Sequence, residues 1–219
     1  MVMPAARSRL FRVVVPVLFC LLPLAGRAAC QVIDFESNGL HYQALTKGGV
    51  TVTFAKLPPH VVAYNIMQVT VTNGSPVSWT IKPEDFTFAR QDGVNIRASN
   101  ADTVIDSLLD RATKGDVVKL QLLYESSIYA MPPAYRSTAG YEHRRQAAMT
   151  MFANAKIKAA VAASAITLVP TKLKPGDSTD GDIFFENHEK LLGAGRLIVN
   201  TAGEAFQFAV YPDLRLKAK

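Results

Sequence analysis

A chain of 219 residues carries 24 basic and 18 acidic side chains, and 49% of its residues are hydrophobic. This length is enough for one sizeable core that needs no disulfides to stabilise it. Four arginines and no acid lie before residue 30, so the remainder keeps 20 basic and 18 acidic residues and a net charge of only +2. That balance gives no support for a nucleic-acid partner, which would need a basic face in the folded part.

The first thirty residues have the three parts of a secretory signal peptide. Arg7, Arg9 and Arg12 precede an apolar run over residues 13–24, and small residues follow that run. The run is shorter than the stretch of about 20 residues that spans a membrane as a helix. We therefore predict a signal peptide over residues 1–29 and export of the rest to the periplasm or the extracellular space.

Cys30 is the candidate residue for lipid attachment. The triplet Leu24-Ala25-Gly26 is of the kind that precedes a lipid-carrying cysteine in bacteria, but it stands three residues too early, and Arg27 occupies the place of the Leu. Gly26 and Ala28 instead supply the small residues that ordinary leader cleavage needs. Release is therefore favoured over anchoring, and a membrane association is expected only if Cys30 is lipidated.

Residues 39–96 alternate apolar and polar side chains, as strands with one buried face do. The clearest runs are 50–55, 67–72 and 77–81. Turn signals separate them, among them Leu57-Pro58-Pro59 and Asn73-Gly74, which we interpret as a hairpin turn. Short strands at this spacing favour an antiparallel sandwich or barrel.

A helical insertion is predicted over about residues 99–165. Ser99 or Asn100 can cap its first helix, and Gly115 can end that helix. Residues 116–130 fit a helix face and also alternate as a strand would; helix is preferred because the run is long. From about 137 to 165, good helix formers with one apolar stripe predict a long helix, our candidate contact surface.

Strands resume after Pro170, with a buried strand at 183–185 and a closing hairpin that turns over 200–204. The segments "QVTVTNGS" and "KPEDFTF", then Leu173-Lys174-Pro175-Gly176 followed by Gly181, Ile183 and Phe185, resemble a pattern of exported bacterial proteins with an immunoglobulin-like sandwich. Strands on both sides of the helical stretch predict an α+β, mainly β fold: one antiparallel β-sandwich over residues 30–219 that holds the helical insertion. The resemblance implies that this sandwich is immunoglobulin-like and exported, although the helical insertion departs from the pattern. The resemblance implies no catalytic residue.

Motifs for catalysis or metal binding are scarce. Gly-x-Ser-x-Gly and Ser-x-x-Lys do not occur, and the one cysteine after residue 29 stands at the start of the chain. The four histidines lack the spacing of a paired zinc site. His60 and Met67 could belong to a copper site, with Met149 and Met151 as outer candidates; we prefer Met67 in the core and His60 on a turn.

Three other polar groups have a functional and a simpler interpretation. Asp177, Asp180 and Asp182 miss the EF-hand spacing, because Gly176 would take the first ligand position, so a solvated turn is preferred to a calcium site. Arg144 and Arg145 could grip an anionic partner, although a solvated helical turn is preferred. Asn73 begins a glycosylation sequon, and Trp79 is expected in the core.

These observations predict an exported, non-enzymatic β-sandwich protein that acts by interaction with a protein or surface component of the cell envelope. No catalytic residue, metal or cofactor is expected. The alternative is an enzyme or a protein that binds a small ligand or metal, with its site between the sandwich and the helical insertion.

Overall fold

A computed structural model describes residues 31–211, except 38, 117, 121, 123–154 and 189. The predicted signal peptide, Cys30, Arg144 and Arg145 lie outside the described residues. So does most of the predicted long helix.

The larger sheet has five strands, and every neighbouring pair is antiparallel. The strand order is β1-β2-β3-β4-β9. Its strands are β1 (Ile33–Ser37), β2 (Leu40–Lys47), β3 (Val50–Val61), β4 (Tyr64–Asn73) and β9 (Ser178–Glu186).

The second sheet has four antiparallel strands in the order β11-β10-β6-β7. Two short strands form a separate antiparallel pair, and a 3₁₀ helix at Pro83–Asp85 leads into the second sheet. The second sheet contains β6 (Phe86–Arg90), β7 (Asn95–Arg97), β10 (Gly195–Thr201) and β11 (Glu204–Val210); the short pair is β5 (Trp79–Ile81) with β8 (Thr171–Leu173).

The apolar faces of the two sheets share one core. The Phe54 ring of β3 meets the Phe208 ring of β11 with centroids 5.0 Å apart, and Phe88 lies 6.1 Å from Phe185 in the same way. Trp79 is half-buried against this core. The predicted alternation along β11 is confirmed, since Phe206, Phe208 and Val210 are buried and the residues between them are exposed.

The described residues between β7 and β8 include helices. Helix α1 (Ala101–Arg111) begins with Asn100, whose side chain accepts a hydrogen bond from the Thr103 amide at 2.8 Å. Helix α2 (Ala155–Ile166) packs against α1. The mainly β, α+β class is therefore confirmed.

Gly115 does not end the first helix, as the sequence predicted. Helix α1 stops at Arg111, and the described positions between 114 and 122 are helical, which agrees with the preference for helix at the start of 116–130. The reason is a capping box: the Asp116 carboxylate accepts hydrogen bonds from the Thr113 amide at 2.9 Å and the Thr113 hydroxyl at 2.7 Å. A new helix therefore begins where we had placed the end of the old one.

The helices bury one end of the larger sheet on the face opposite the shared core. Val104 and Leu108 of α1 and the alanines of α2 form a second apolar cluster with Tyr64, Ile66 and Phe184. The Tyr64 and Phe184 rings meet edge to face at 5.9 Å. The helical part thus completes a core that the sheet alone would leave exposed.

Two predicted turns are wrong. Pro58 and Pro59 lie inside β3, where the pairing with β4 shifts between Lys56 and His60. Proline has no N–H to donate, and the extra residues of a bulge do not have to donate a hydrogen bond to the neighbouring strand. Asn73-Gly74 does not close a hairpin, because the next strand, β5, pairs with β8 and not with β4. The hairpin predicted over 200–204 is confirmed, with Thr201 paired to Glu204.

Candidate functional site

A buried polar row crosses the face of the larger sheet that lies away from the shared core. Tyr42 pairs with Ala55, Ala55 with Gln68, and Gln68 with Asp182. The Tyr42 hydroxyl donates to Gln68 Oε1 at 3.0 Å. Burial and then the charge of Asp182 raise the pKa of Tyr42 above its ordinary value, so this phenol stays a neutral donor.

A second polar row lies directly beside the first. Thr53 pairs with Thr70, which pairs with Asp180, and all three are buried. The interpretation of Asp180 and Asp182 as parts of a solvated turn is therefore wrong, since both lie in β9 and Asp182 is 1% exposed. The pairing with β4 draws the acidic segment into the sheet.

Neither row forms an exposed acid–base pair. Gln68, Thr70, Asp180 and Asp182 are each engaged in interactions, and buried polar groups with partners mostly stabilise the fold. Among the residues that the structure describes, no group of three acidic, histidine or cysteine side chains is placed to hold a metal ion. We interpret the two rows as the polar part of the sheet's packing.

Asn73 joins the loop after β4 to the end of β8. Its Nδ2 donates to the carbonyl oxygens of Val77 at 2.8 Å and Leu173 at 3.1 Å. Its Oδ1 accepts from the Ser75 amide and hydroxyl at 3.0 and 2.6 Å. The Asn73 side chain is fully buried. In the folded chain it therefore connects two loops by hydrogen bonds and is not accessible for attachment of a glycan.

A shallow hollow of about 410 Å³ lies at the tip of the β10–β11 hairpin, beside the 3₁₀ helix. The alternative hypothesis placed a ligand site between the sheets and the helical insertion, whereas this hollow lies at the strand turns. Its lining is polar or small: Thr80, Asp85, Asn200, Thr201, Ala202, Gly203, Glu204 and Ala205.

Two of the copper candidates, Met67 and His60, lie among the described residues. Met67 is buried in the shared core, as preferred. His60 lies in β3 opposite Asn65, just after the bulge, and not on a turn. Met149 and Met151 lie outside the described residues.

The helical part exposes large apolar side chains. Val118 is 58% exposed and Leu122 is 55% exposed, and their four-residue spacing puts them on one helix face. Leu109 of α1 and Ile157 of α2 are also exposed. Within the described residues, these side chains form the exposed apolar surface of the helical insertion, where the sequence predicted a contact surface.

Sequence reasoning missed two local structures, of which one has a signal in the sequence. Thr113 and Asp116 have the spacing of a capping box, and that pattern alone predicts a helix start. The hydrogen bonds of Asn73 have no comparable signal in the local sequence, because the partner Leu173 is 100 residues away.

Comparison with known proteins yields no match: no protein family, curated protein or solved structure is similar to this chain at a significant level. Within the described residues, no helix is long and apolar enough to cross a membrane.

Proposed function

We propose that this chain is an exported, non-enzymatic protein that acts by binding another protein of the cell envelope. The observation that carries the proposal is the exposed apolar pair Val118 and Leu122 on one helix face. Exposed apolar groups that lie together on a soluble surface mark interaction sites. The partner's matching surface is then apolar as well.

The finer fold belongs to the same proposal. We infer an immunoglobulin-like sandwich with an inserted helical part, supported by the two antiparallel sheets that share a core. Insertion of the helices between β7 and β8 leaves both sheets intact, because β7 before the insertion pairs with β6, while β9 and β10 after it pair with β4 and β6.

The binding proposal is tested by substituting the exposed pair. Val118→Ser with Leu122→Ser removes apolar contact area, and we expect recovery of the crosslinked envelope partner to fall at least tenfold, as loss of about 1.4 kcal/mol or more implies. The measurement is crosslinking in intact cells followed by mass spectrometry of the captured proteins.

The matched control is Asp106→Ser with Asp110→Ser, an exposed pair at the same spacing on α1. It should leave capture unchanged. Equal recovery with both double variants would contradict the proposal.

The export proposal is tested by the intact mass of the protein recovered from its host. Cleavage near Ala28 and Ala29 removes the leader, and an unmodified Cys30 adds nothing further. A mass that includes residues 1–29 would contradict export, and acyl chains on Cys30 would show anchoring instead of release.

A further inference from the structure

Among the described strands, β11 pairs only with β10 and so forms one edge of the second sheet. Thr201 and Glu204 flank a two-residue turn and therefore exchange hydrogen bonds, and bonded pairs alternate along an antiparallel ladder. Ala205, Gln207 and Ala209 consequently direct their N–H and C=O groups away from β10. The Lys47 ammonium confirms this direction, since it donates to the Ala205 carbonyl at 2.6 Å.

Among the described residues and apart from Lys47, this edge lacks the features that usually prevent strand pairing. Strand β11 contains no proline and no bulge, and its one charge is Glu204 at its first position. Lys47 covers a single carbonyl. Within the described part of the chain, no hydrogen bond beyond the ladder with β10 reaches Gln207 or Ala209.

The sequence of the edge is a palindrome. Residues 205–209 read Ala-Phe-Gln-Phe-Ala, so the segment is the same in either direction about Gln207. Turning a second copy by a half rotation about Gln207 puts Ala205 opposite Ala209, Phe206 opposite Phe208 and Gln207 opposite itself. The outward N–H and C=O groups of one copy then meet those of the other.

We propose that two copies of this chain pair antiparallel through β11, with the two-fold axis at Gln207. The two four-stranded sheets join into one continuous sheet of eight strands, with about six new backbone hydrogen bonds. The side chains are compatible with this register: the exposed face presents alanine and glutamine, and the buried face continues as phenylalanine. Glu204, the one charge of the strand, falls outside the central five residues.

A cysteine at the axis tests the register. Directly opposite residues of a hydrogen-bonded pair have Cα atoms about 5.5 Å apart, within the range that a disulfide spans. Gln207→Cys should therefore form a covalent dimer on mild oxidation of the full chain, seen as a doubled mass on a non-reducing gel. Asn200→Cys is the matched control, because Asn200 is exposed on β10, one strand in from the edge.

A charge at the axis tests the association itself. Gln207→Lys places two ammonium groups opposite each other and should return the protein to a monomer in sedimentation velocity, while Asn200→Lys stays dimeric. Circular dichroism establishes that both variants are folded. A wild-type protein that sediments as a monomer at roughly 100 µM, or Asn200→Cys crosslinking as readily as Gln207→Cys, overturns the proposal. A Gln207→Lys variant that remains dimeric does the same.

Discussion

Asn73 is the residue on which the loops at one end of the molecule depend. Its amide group satisfies the carbonyl oxygens of Val77 and Leu173, and its backbone bonds to Gly176 and Asp177. No other side chain of similar size offers two donors and an acceptor in one plane. The position therefore requires asparagine for a structural reason.

Asn73→Ala should lower the free energy of unfolding by about 2–4 kcal/mol, because it leaves buried carbonyl oxygens without donors. Asn73→Asp should be at least as unfavourable, since a carboxylate cannot donate to either carbonyl. Urea unfolding measures both. The exposed Asn95→Ala serves as control, and equal midpoints for Asn73→Ala and Asn95→Ala would contradict this role.

Two aspartates that each accept a hydrogen bond from the backbone amide three residues earlier respond to pH in opposite directions. Burial alone would raise the pKa of Asp116, but hydrogen bonds from Thr113 and the charge of Lys119 lower it below its ordinary value. Burial raises the pKa of Asp85, although the Lys82 amide and charge oppose this. Asp116 therefore favours the folded state as an anion, and Asp85 favours it as a neutral acid.

The folded pKa of Asp116 lies below the unfolded value, so its stabilisation is present above that unfolded pKa and disappears as the pH falls through the folded pKa. Asp116→Asn should therefore weaken the loss of stability between pH 5 and the acid limit, an interval set by an ordinary pKa of about 3.9. Asp85→Asn should steepen it. Unfolding midpoints measured across this range test the signs, and parallel pH profiles for the two variants would refute them.

At the scale of elements, a close approach between backbones explains Gly181. A Cβ at this position of β9 would lie 2.7 Å from Leu168 Cα, and the Leu168 amide donates to the Asp182 carbonyl at 2.9 Å. The segment after α2 therefore lies directly against β9. A residue with a Cβ would hold the two backbones apart, so Gly181 makes this contact possible.

Gly181→Ala should destabilise the protein by about 1–3 kcal/mol, because the backbone of Leu168 has to move. The same substitution at Gly115 should stabilise it by up to about 1 kcal/mol, since Gly115 is helical, exposed and open to a methyl group. Thermal unfolding of the two variants distinguishes these signs. A Gly181→Ala protein as stable as wild type would show that the approach is not tight.

Helices and strands could be predicted from the sequence where the local pattern of apolar and polar residues determines them. Strands such as β4 and β11 follow from alternation, and α1 from its cap and spacing. The pattern failed where a long-range partner decides: pairing with β4 keeps Pro58 and Pro59 inside a strand and draws Asp180 and Asp182 into the sheet. No local signal distinguishes a solvated acidic turn from an acidic strand with a distant neighbour.

At the scale of the whole molecule, the two apolar clusters lie on opposite faces of the larger sheet. Ile66 and Phe184 contact the helices, while Met67 and Phe185, next to them in sequence, contact the second sheet. Since the same strands carry both clusters, we expect the sheets and the helical part to unfold together. The sequence predicts a single domain over residues 30–219 on another ground, the strands that flank the helical insertion on both sides.

Leu108→Ala tests this coupling. Leu108 is fully buried in the helical cluster, so its truncation should cost about 2–5 kcal/mol. Because the clusters share strands, the fluorescence of Trp79 in the other core should shift to the same lower midpoint as the circular dichroism. The adjacent Leu109→Ala, at a position 42% exposed, should change little. Two separate transitions in Leu108→Ala would show that the parts unfold independently.

The order of the strands has a consequence for how the chain is made. Thr72 of β4 bonds to Ser178 of β9 across 106 residues, and Lys47 reaches Ala205 across 158. Neither sheet can be completed until the strands from residue 178 onward have been synthesised, and topologies dominated by such distant pairs fold slowly. The nascent chain therefore has no finished core until residues 178–210 have been synthesised, so any factor that binds it before that point meets an unfolded chain.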